Sequence, residues 1–446
     1  MIHSVYSFGY NNQGQLATRD TVDRRVPCRI KYLDTRNINR VIAGAEHVMA
    51  TTVRDGRTEI LSAGCNDNGQ LALGYDCGHV SSMRSSFAAT GNVVDICAGS
   101  FHTVMLSSKG TVVSWGYNNE GELGLGHAHH KNKPTVIKAL TFKTITNIYV
   151  GSSHNFALSS TGEVYGWGKN GHGQLSLGHF NDCTRPVLIK SFNVNHLRRV
   201  IHLERTSGER SRDWIATLLP NLRRRSSGHD QHRDADPYSI KSISAGGNHT
   251  IILTNNNQVL CCGGNGMGQL GLSDAQDRST VHWLQSLKSK VITNVFACSV
   301  HSMAINENGS LYVWGGNQWG SLCTGDFRNR YIPTLVTCFG IERIRNVYSS
   351  HCSFHCFVTT NHGKLYGWGR NDKAQLACVE METINQPLHL KELESMDGGM
   401  VVDICVGIGF SIVSMSKGVV KVDPYRIQCV KFFDVDIFYE RLQKQS

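Results

Sequence analysis

Four groups of side chains in this 446-residue sequence have types and spacings that could do chemistry. Six histidines (His47, His102, His154, His249, His301 and His355) could ligate a metal or move protons. His127, His129 and His130 form a denser Gly-His-Ala-His-His run of the kind that binds transition metals. Fifteen cysteines could hold zinc or form disulfides. Finally, Arg223-Arg224-Arg225-Ser226-Ser227 places two serines after three arginines, a pattern a basophilic kinase would phosphorylate, cancelling the local charge.

The spacings argue against metal or bond-making chemistry. No Cys-x-x-Cys pair has a matching second pair, and Cys97, Cys261, Cys262, Cys298 and Cys405 fall at strand positions where apolar or small residues recur elsewhere. Reduced, buried structural thiols are expected there. The His127 cluster has no nearby Cys, Asp or Glu to complete a metal site, so it reads as a solvated loop. No nucleophile elbow or phosphate-cradling loop leading into a helix is present, and no cofactor and no metal are expected. The six histidines recur at fixed phase, which predicts a structural hydrogen bond in a loop for each.

That phase belongs to a repeat. Leu16, Leu71, Leu123, Leu175, Leu270, Leu322 and Leu376 each stand in a Gly-x-Asn-x-x-(Gly/Ala)-x-Leu setting, at intervals of 55, 52, 52, 95, 52 and 54 residues. A second signature keeps step: Gly44 with His47, Gly99 with His102, Gly151 with His154, Gly246 with His249, then Cys298 with His301, Cys352 with His355 and Gly407 with Phe410. From five of the histidines, thirteen further residues lead to Trp115, Trp167, Cys262, Trp314 and Trp368. A period near 50 is the mark of a repeat architecture.

Short runs such as Thr111–Trp115 and Leu311–Trp314 read as strands. Gly110, Gly162, Gly309 and Gly363, with Asn257 at the equivalent place, are the types that tolerate positive φ in a tight hairpin. Pro27, Pro134, Pro186, Pro333 and Pro387 recur where a strand begins or runs at an edge. About four short strands per period and almost no helical periodicity predict an all-β fold, a seven-bladed propeller of four-stranded blades. Residues 5–9 are the latter half of a repeat and 403–407 the opening half of one. Pairing of N- and C-terminal strands in one blade should therefore close the ring and remove an exposed edge.

The paired signatures, Ala-Gly-x-x-His and Trp-Gly-x-Asn-x-x-Gly-Gln-Leu-Gly, resemble the regulator of chromosome condensation repeat family over residues 1–422, one insertion excepted. The resemblance implies the propeller. It implies no single activity, because the family is similar in fold while serving as nucleotide exchange factors, chromatin-docking proteins, ubiquitin-ligase adaptors and an ultraviolet photoreceptor.

The 95-residue interval exceeds a 52-residue period and defines an insertion at 198–237. Between Arg198 and Arg225 lie eight arginines, no lysine and three acids, so five of the chain's ten surplus positive charges sit in one loop. A long loop on a rigid scaffold is usually functional or unstructured. Arg198, Arg199, Arg210, Arg212, Arg223, Arg224 and Arg225 are candidate partner contacts. Trp214 and Leu218, with Ile215, Leu219 and Leu222, would form an apolar stripe if helical, to enter a partner's groove or to pack on the propeller. Ser226 and Ser227 are candidate phosphosites; nuclear import, phosphate binding or a plain solvated linker are the other readings. The tail, 423–446, contains Phe432, Phe433, Ile437 and Phe438 and is expected to dock on the propeller. In the second repeat, the hairpin is lengthened by Arg54–Arg57 and Ala63 stands where tryptophan would be.

No run approaches 18 apolar residues, which excludes a transmembrane helix, and neither a signal peptide nor a transit peptide is evident. A monomer in the cytoplasm, with access to the nucleus, is expected. By the resemblance, exchange on the nuclear GTPase Ran would need carboxylates in neighbouring Ala-Gly-x-x-His turns and a wedge inside a Trp-Gly-to-Gly turn. Here the turn positions are Ser100, Phe101, Ser152 and Ser153, only Glu46 supplies an acid, and the turns Trp115–Gly121 and Trp167–Gly173 are uninterrupted. The family's chromatin docking leans on a basic N-terminal tail, and here the chain starts in a strand. The sequence therefore favours a non-catalytic protein-interaction scaffold or adaptor. Exchange on, or regulation of, a small GTPase other than Ran is the alternative, and binding to nucleic acid or chromatin a weaker one.

Overall fold

The computed structural model describes residues 2, 4–54, 56–89, 92–206, 236–394 and 396–416. They form seven four-stranded antiparallel sheets arranged as the blades of a propeller. We number the blades I to VII. Their inner strands, which pack against one another around the axis, are Ile38–Ala43, Val93–Ala98, Ile145–Val150, Ile240–Ala245, Ile292–Ala297, Ile344–Tyr348 and Met400–Val406. Outer strands run at the rim, and Pro27, Pro134, Pro186, Pro333 and Pro387 all lie in them, where a missing backbone donor breaks no ladder.

The ring closes in blade VII, whose sheet order places Arg24–Arg29 and Ser4–Gly9 beside Phe410–Ser416 and Met400–Val406. The expected pairing of N- and C-terminal strands in one blade is thus found, with two strands from each end of the chain. Ser4–Gly9 pairs with Phe410–Ser416 over its whole length, from Ser4 opposite Met415 to Gly9 opposite Phe410. The predicted hairpin residues all have positive φ: 75° at Gly110, 80° at Gly162, 61° at Asn257, 75° at Gly309 and 79° at Gly363.

Each signature residue has a mechanical role. The asparagine of every Gly-x-Asn turn is buried and its Oδ1 accepts from the backbone N–H of the leucine five residues on, for example Asn118 to Leu123 at 2.8 Å and Asn265 to Leu270 at 2.9 Å. The tryptophans tie one blade to the one before. Trp115, Trp167, Trp314 and Trp368 are fully buried, and their indole N–H groups donate at 2.8–3.0 Å to the carbonyls of Gln70, Glu122, Gln269 and Ser321. In blade IV Cys262 takes this place, with Sγ 3.5 Å from the Gln174 carbonyl.

Because the four strands alternate in direction, each blade sends two kinds of loop to each face. The Ala-Gly-x-x-His turns and the Gly-x-Asn loops share one face, here called the histidine face. The hairpins and the connections between blades share the opposite face. The insertion is one of those connections. It begins with helix α1 (Val194–Thr206), four residues before the boundary the repeat suggested, and α1 is held to the propeller by Leu197 and Ile201, both wholly buried beside Phe192, Val281 and Trp283. Among the described residues no helix is long and apolar enough to cross a membrane. The tail 423–446, expected to dock, lies outside the described residues.

Candidate functional site

Around the axis the histidines of blades II to VI make contacts to the next blade, not the loop hydrogen bonds the sequence predicted, while neither ring nitrogen of His47 in blade I has a hydrogen-bond partner. His102 Nε2 lies 2.8 Å from Asn155 Oδ1, His154 Nε2 3.1 Å from Thr250 Oγ1, His249 Nε2 2.8 Å from Ser302 Oγ and His355 Nε2 2.8 Å from Ser411 Oγ. Each partner is the residue after the next blade's signature histidine or its equivalent. Each partner also donates onward: Asn155 to the Glu122 carbonyl, Thr250 to Gln174, Ser302 to Gln269 and Ser411 to Gln375, at 2.7–2.9 Å. With those donors spent, the side chains can only accept from the imidazoles, which fixes the histidines as neutral Nε2–H tautomers. Burial, reinforced by neighbouring imidazoles at His154 and His249 and by Arg370 at His355, pushes these three down to about 3, and burial holds His102 at about 4. A buried imidazole locked this way neither shuttles protons nor reaches substrate.

The histidine turns are also laced by backbone hydrogen bonds. Ile408 donates to Ala45, Ala45 to Ser100, Ser100 to Ser152, Ser152 to Gly246 and Gly247 to Cys298, at 2.9–3.2 Å. Blade VI departs from this ring. Its turn runs from Ser350 to Phe354, two residues longer than the Cys298–Val300 turn of blade V when the strand registers are matched. The extra length carries His351 towards the axis, where it is 6% exposed and where Ser152 of blade III donates to its carbonyl at 3.2 Å. Burial and the neighbouring His102 and His47 hold its imidazole down at about 3.

Glu46, the one acid in these turns, is half-buried, and desolvation with nearby Asp67 raises its carboxyl. Ser100, Phe101, Ser152 and Ser153 are partly exposed beside it. The Trp115–Gly121 and Trp167–Gly173 turns are tight, closed by Gly121 donating to Asn118 and Gly173 to Asn170.

His129 and His130 are exposed, in keeping with a solvated loop, and His130 also braces the turn. His130 Nδ1 accepts from the Asn118 N–H at 3.0 Å, as Asp23, Asp182 and Asp277 do for Asn11, Asn170 and Asn265. Its ring stacks on Tyr117 at 4.9 Å.

On the opposite face, the structure shows how the insertion is rooted. Arg198 of α1 pairs with Asp236 at 2.8 Å and stacks over Tyr238 at 5.1 Å, joining the first residues of the insertion to its return. Arg198 thus has an intramolecular partner, while Arg199 is exposed on α1. Arg210, Arg212, Trp214, Leu218, Arg223, Arg224, Arg225, Ser226 and Ser227 lie outside the described residues. The Asp236 clamp carries no local signal, since 38 residues separate the pair.

Comparison with known proteins now has a geometry to bear on. The model for the Regulator of chromosome condensation (RCC1) repeat matches residues 3–51, 59–106, 109–158, 161–204, 308–353 and 362–414, and a second model of the same repeat matches 93–122, 145–174 and 240–269. The chain belongs to the RCC1 repeat family. Similar RCC1 proteins include the ultraviolet-B receptor UVR8 of Arabidopsis thaliana, 27% identical over 395 residues that cover 88% of this chain and 79% of UVR8. The mouse E3 ubiquitin-protein ligase HERC2 is 26% identical over 411 residues, 92% of this chain but 8% of HERC2. Among solved structures, yeast RCC1 (Prp20) bound to Kap60 superposes with a TM-score of 0.71 at 18% identity, covering 100% of this chain and 92% of that one. Human WBSCR16 superposes with a TM-score of 0.70 at 17% identity, covering 93% of this chain and all of the other. Both structures agree in fold with the propeller described above.

Proposed function

We propose that this RCC1 propeller is a non-catalytic interaction scaffold that engages an acidic protein partner through its arginine-rich insertion. One observation carries the reading: half of the chain's surplus positive charge leaves the propeller at a single rim position, and Leu197, Ile201 and the Arg198–Asp236 clamp root that position in the rigid core. A charged loop on a rigid base steers association electrostatically. His102, His154, His249 and His355 are occupied with polar side chains of the next blade, which supports a structural role for them.

The test is capture of partners by the full chain and by a chain in which 207–235 is replaced with a short Gly/Ser loop, at two salt concentrations. Keeping α1 and Asp236 preserves the core. A partner set lost with the loop and weakened by salt supports the proposal, and an unchanged set overturns it.

Regulation of a small GTPase is the second reading. It is favoured by the likeness in fold to yeast Prp20, whose structure has been described together with its binding to Gsp1p and histones. That activity would use the histidine face, where Glu46 stands as the lone acid of the turns. An exchange factor prefers its GTPase nucleotide-free, so recovery of a small GTPase enriched by chelation of magnesium, and unaffected by the loop replacement, would move the site to that face.

A further inference from the structure

Two departures from the repeat, on different blades and 58 positions apart, meet at one imidazole. The first is Cys298, in the turn that follows strand Ile292–Ala297 and not on the strand where the sequence placed it. The equivalent position is Gly44, Gly99, Gly151, Gly246 and Gly407 in other blades. A Cβ added there would come within 2.2 Å, 2.1 Å, 2.6 Å and 2.6 Å of the histidine Cε1 in the first four. Blade V therefore tolerates a side chain at the one place where any side chain is driven against its own histidine. The second departure is Cys356. Asn155, Thr250, Ser302 and Ser411 fill this position elsewhere and receive the preceding histidine. Cys356 presents sulfur instead, with Sγ 3.7 Å from His301 Nε2.

The ligand atoms of Cys298, His301 and Cys356 all lie within 4.8 Å of one another, and all three residues are buried. Bonds of about 2.3 Å to sulfur and about 2.0–2.1 Å to imidazole nitrogen put neighbouring ligand atoms of a tetrahedral site about 3.6–3.8 Å apart, so the observed Cys356–His301 separation needs no rearrangement. His301 Nδ1 is buried without a hydrogen-bond partner. A hydrogen-bonding role explains Cys356 alone, as a weak substitute for serine. It does not explain a cysteine in the glycine slot.

We propose that Cys298, His301 and Cys356 form a binding site for a thiophilic d10 cation at the junction of blades V and VI. Two thiolates and an imidazole, with no carboxylate, suit Zn2+ or Cu+ and disfavour hard cations. Binding releases the thiol protons. The ion would act structurally. Cys298 Sγ also lies 3.2 Å from Ser349 Oγ, and Ser349 immediately precedes the long turn that carries His351 to the axis. The site would thus pin the root of the axial turn to the neighbouring blade.

The experiment uses the full chain, reduced and stripped with a chelator, titrated separately with Zn2+, with Cu+ under anaerobic reducing conditions, and with Co2+ as a spectroscopic probe. One ion per chain, a raised Tm and thiolate-to-cobalt charge-transfer absorption are expected, and the tighter of the two d10 ions names the occupant. Cys298→Gly and Cys356→Ser restore the residue types of the other blades, so both variants should fold, and each should weaken binding at least tenfold. Three results would overturn the proposal: wild-type and Cys298→Gly chains binding alike, binding abolished by His127→Ala with His129→Ala but not by Cys298→Gly, or a Cys298–Cys356 disulfide with no metal uptake after reduction.

Discussion

Glu122 shows how much one side chain of the repeat matters. Its slot before the signature leucine is filled by Gln15, Gln70, Gln174, Gln269 and Gln375 in five other repeats, each accepting from the N–H two residues earlier through Oε1. Glu122 does the same for Glu120 at 3.1 Å, but it is fully buried, and desolvation together with the Glu120 carboxyl pushes its own carboxyl up. A raised folded value means that the stability it contributes is present below the ordinary glutamate range and is lost as pH rises. Glu122→Gln should therefore stabilise the chain by on the order of 1 kcal/mol near pH 8, with the gain vanishing towards pH 4. Urea unfolding at the two pH values reads this, and an equal gain at both would mean that ionisation is not the cause.

At the scale of single elements, helix α1 and the asparagine turns make contrasting contributions. Leu197 is wholly buried against the blade III and IV cluster, so Leu197→Ala should cost about 2–4 kcal/mol. Arg198→Ala breaks a part-exposed ion pair and should cost less than about 1 kcal/mol. Thermal melts of the two variants distinguish a helix docked by packing from one held by charge. Asn170 is wholly buried, accepts from Leu175 and donates to the carbonyls of His179 and Asn181, so Asn170→Ala strands several backbone groups at once. A loss of about 2–3 kcal/mol is expected from chemical denaturation; a loss under 0.5 would mean that water replaces the asparagine, on the order of a neutral surface change.

For the molecule as a whole, the buried histidines set the response to acid. His47, His154, His249, His351 and His355 are held near 3 and His102 near 4 by burial, against about 6.5 in the unfolded chain. Below about 6.5 the unfolded chain takes up protons that the folded one refuses, so each histidine removes up to about 1.4 kcal/mol per pH unit as pH falls. Asp403, raised to about 6 by burial, and Glu122 act in the opposite sense. Glu46, also raised, joins these two; six groups outweigh three, and the urea midpoint should drop steeply between about pH 6.5 and 4. A flat profile there would show that the imidazoles gain solvent before they gain protons. Ring closure is the second whole-molecule property: removing residues 1–9 takes away the strand that joins Phe410–Ser416 to Arg24–Arg29, and should turn one cooperative transition into a broad one.

The blades, their hairpins and the edge prolines were legible in the sequence because each depends on residues within one period, and the closure of the ring because each end of the chain carries half of one. Strand alternation, a glycine at a hairpin and an asparagine five residues before a leucine are all local. The charge of the insertion was legible too, since composition needs no coordinates. Contacts between blades were not, because they depend on how neighbouring sheets are set around an axis that no single repeat encodes. Hence the histidines looked like loop residues and proved to be links to the next blade. Likewise Arg198 read as a partner contact and proved to clamp Asp236, and Cys298 read as a packing thiol until the packing of blades V and VI brought it and Cys356 to His301. The sequence by itself determined the unit and its count; the tertiary structure alone decided which residues of different units meet, because the distance between blades is set by packing and not by chain length.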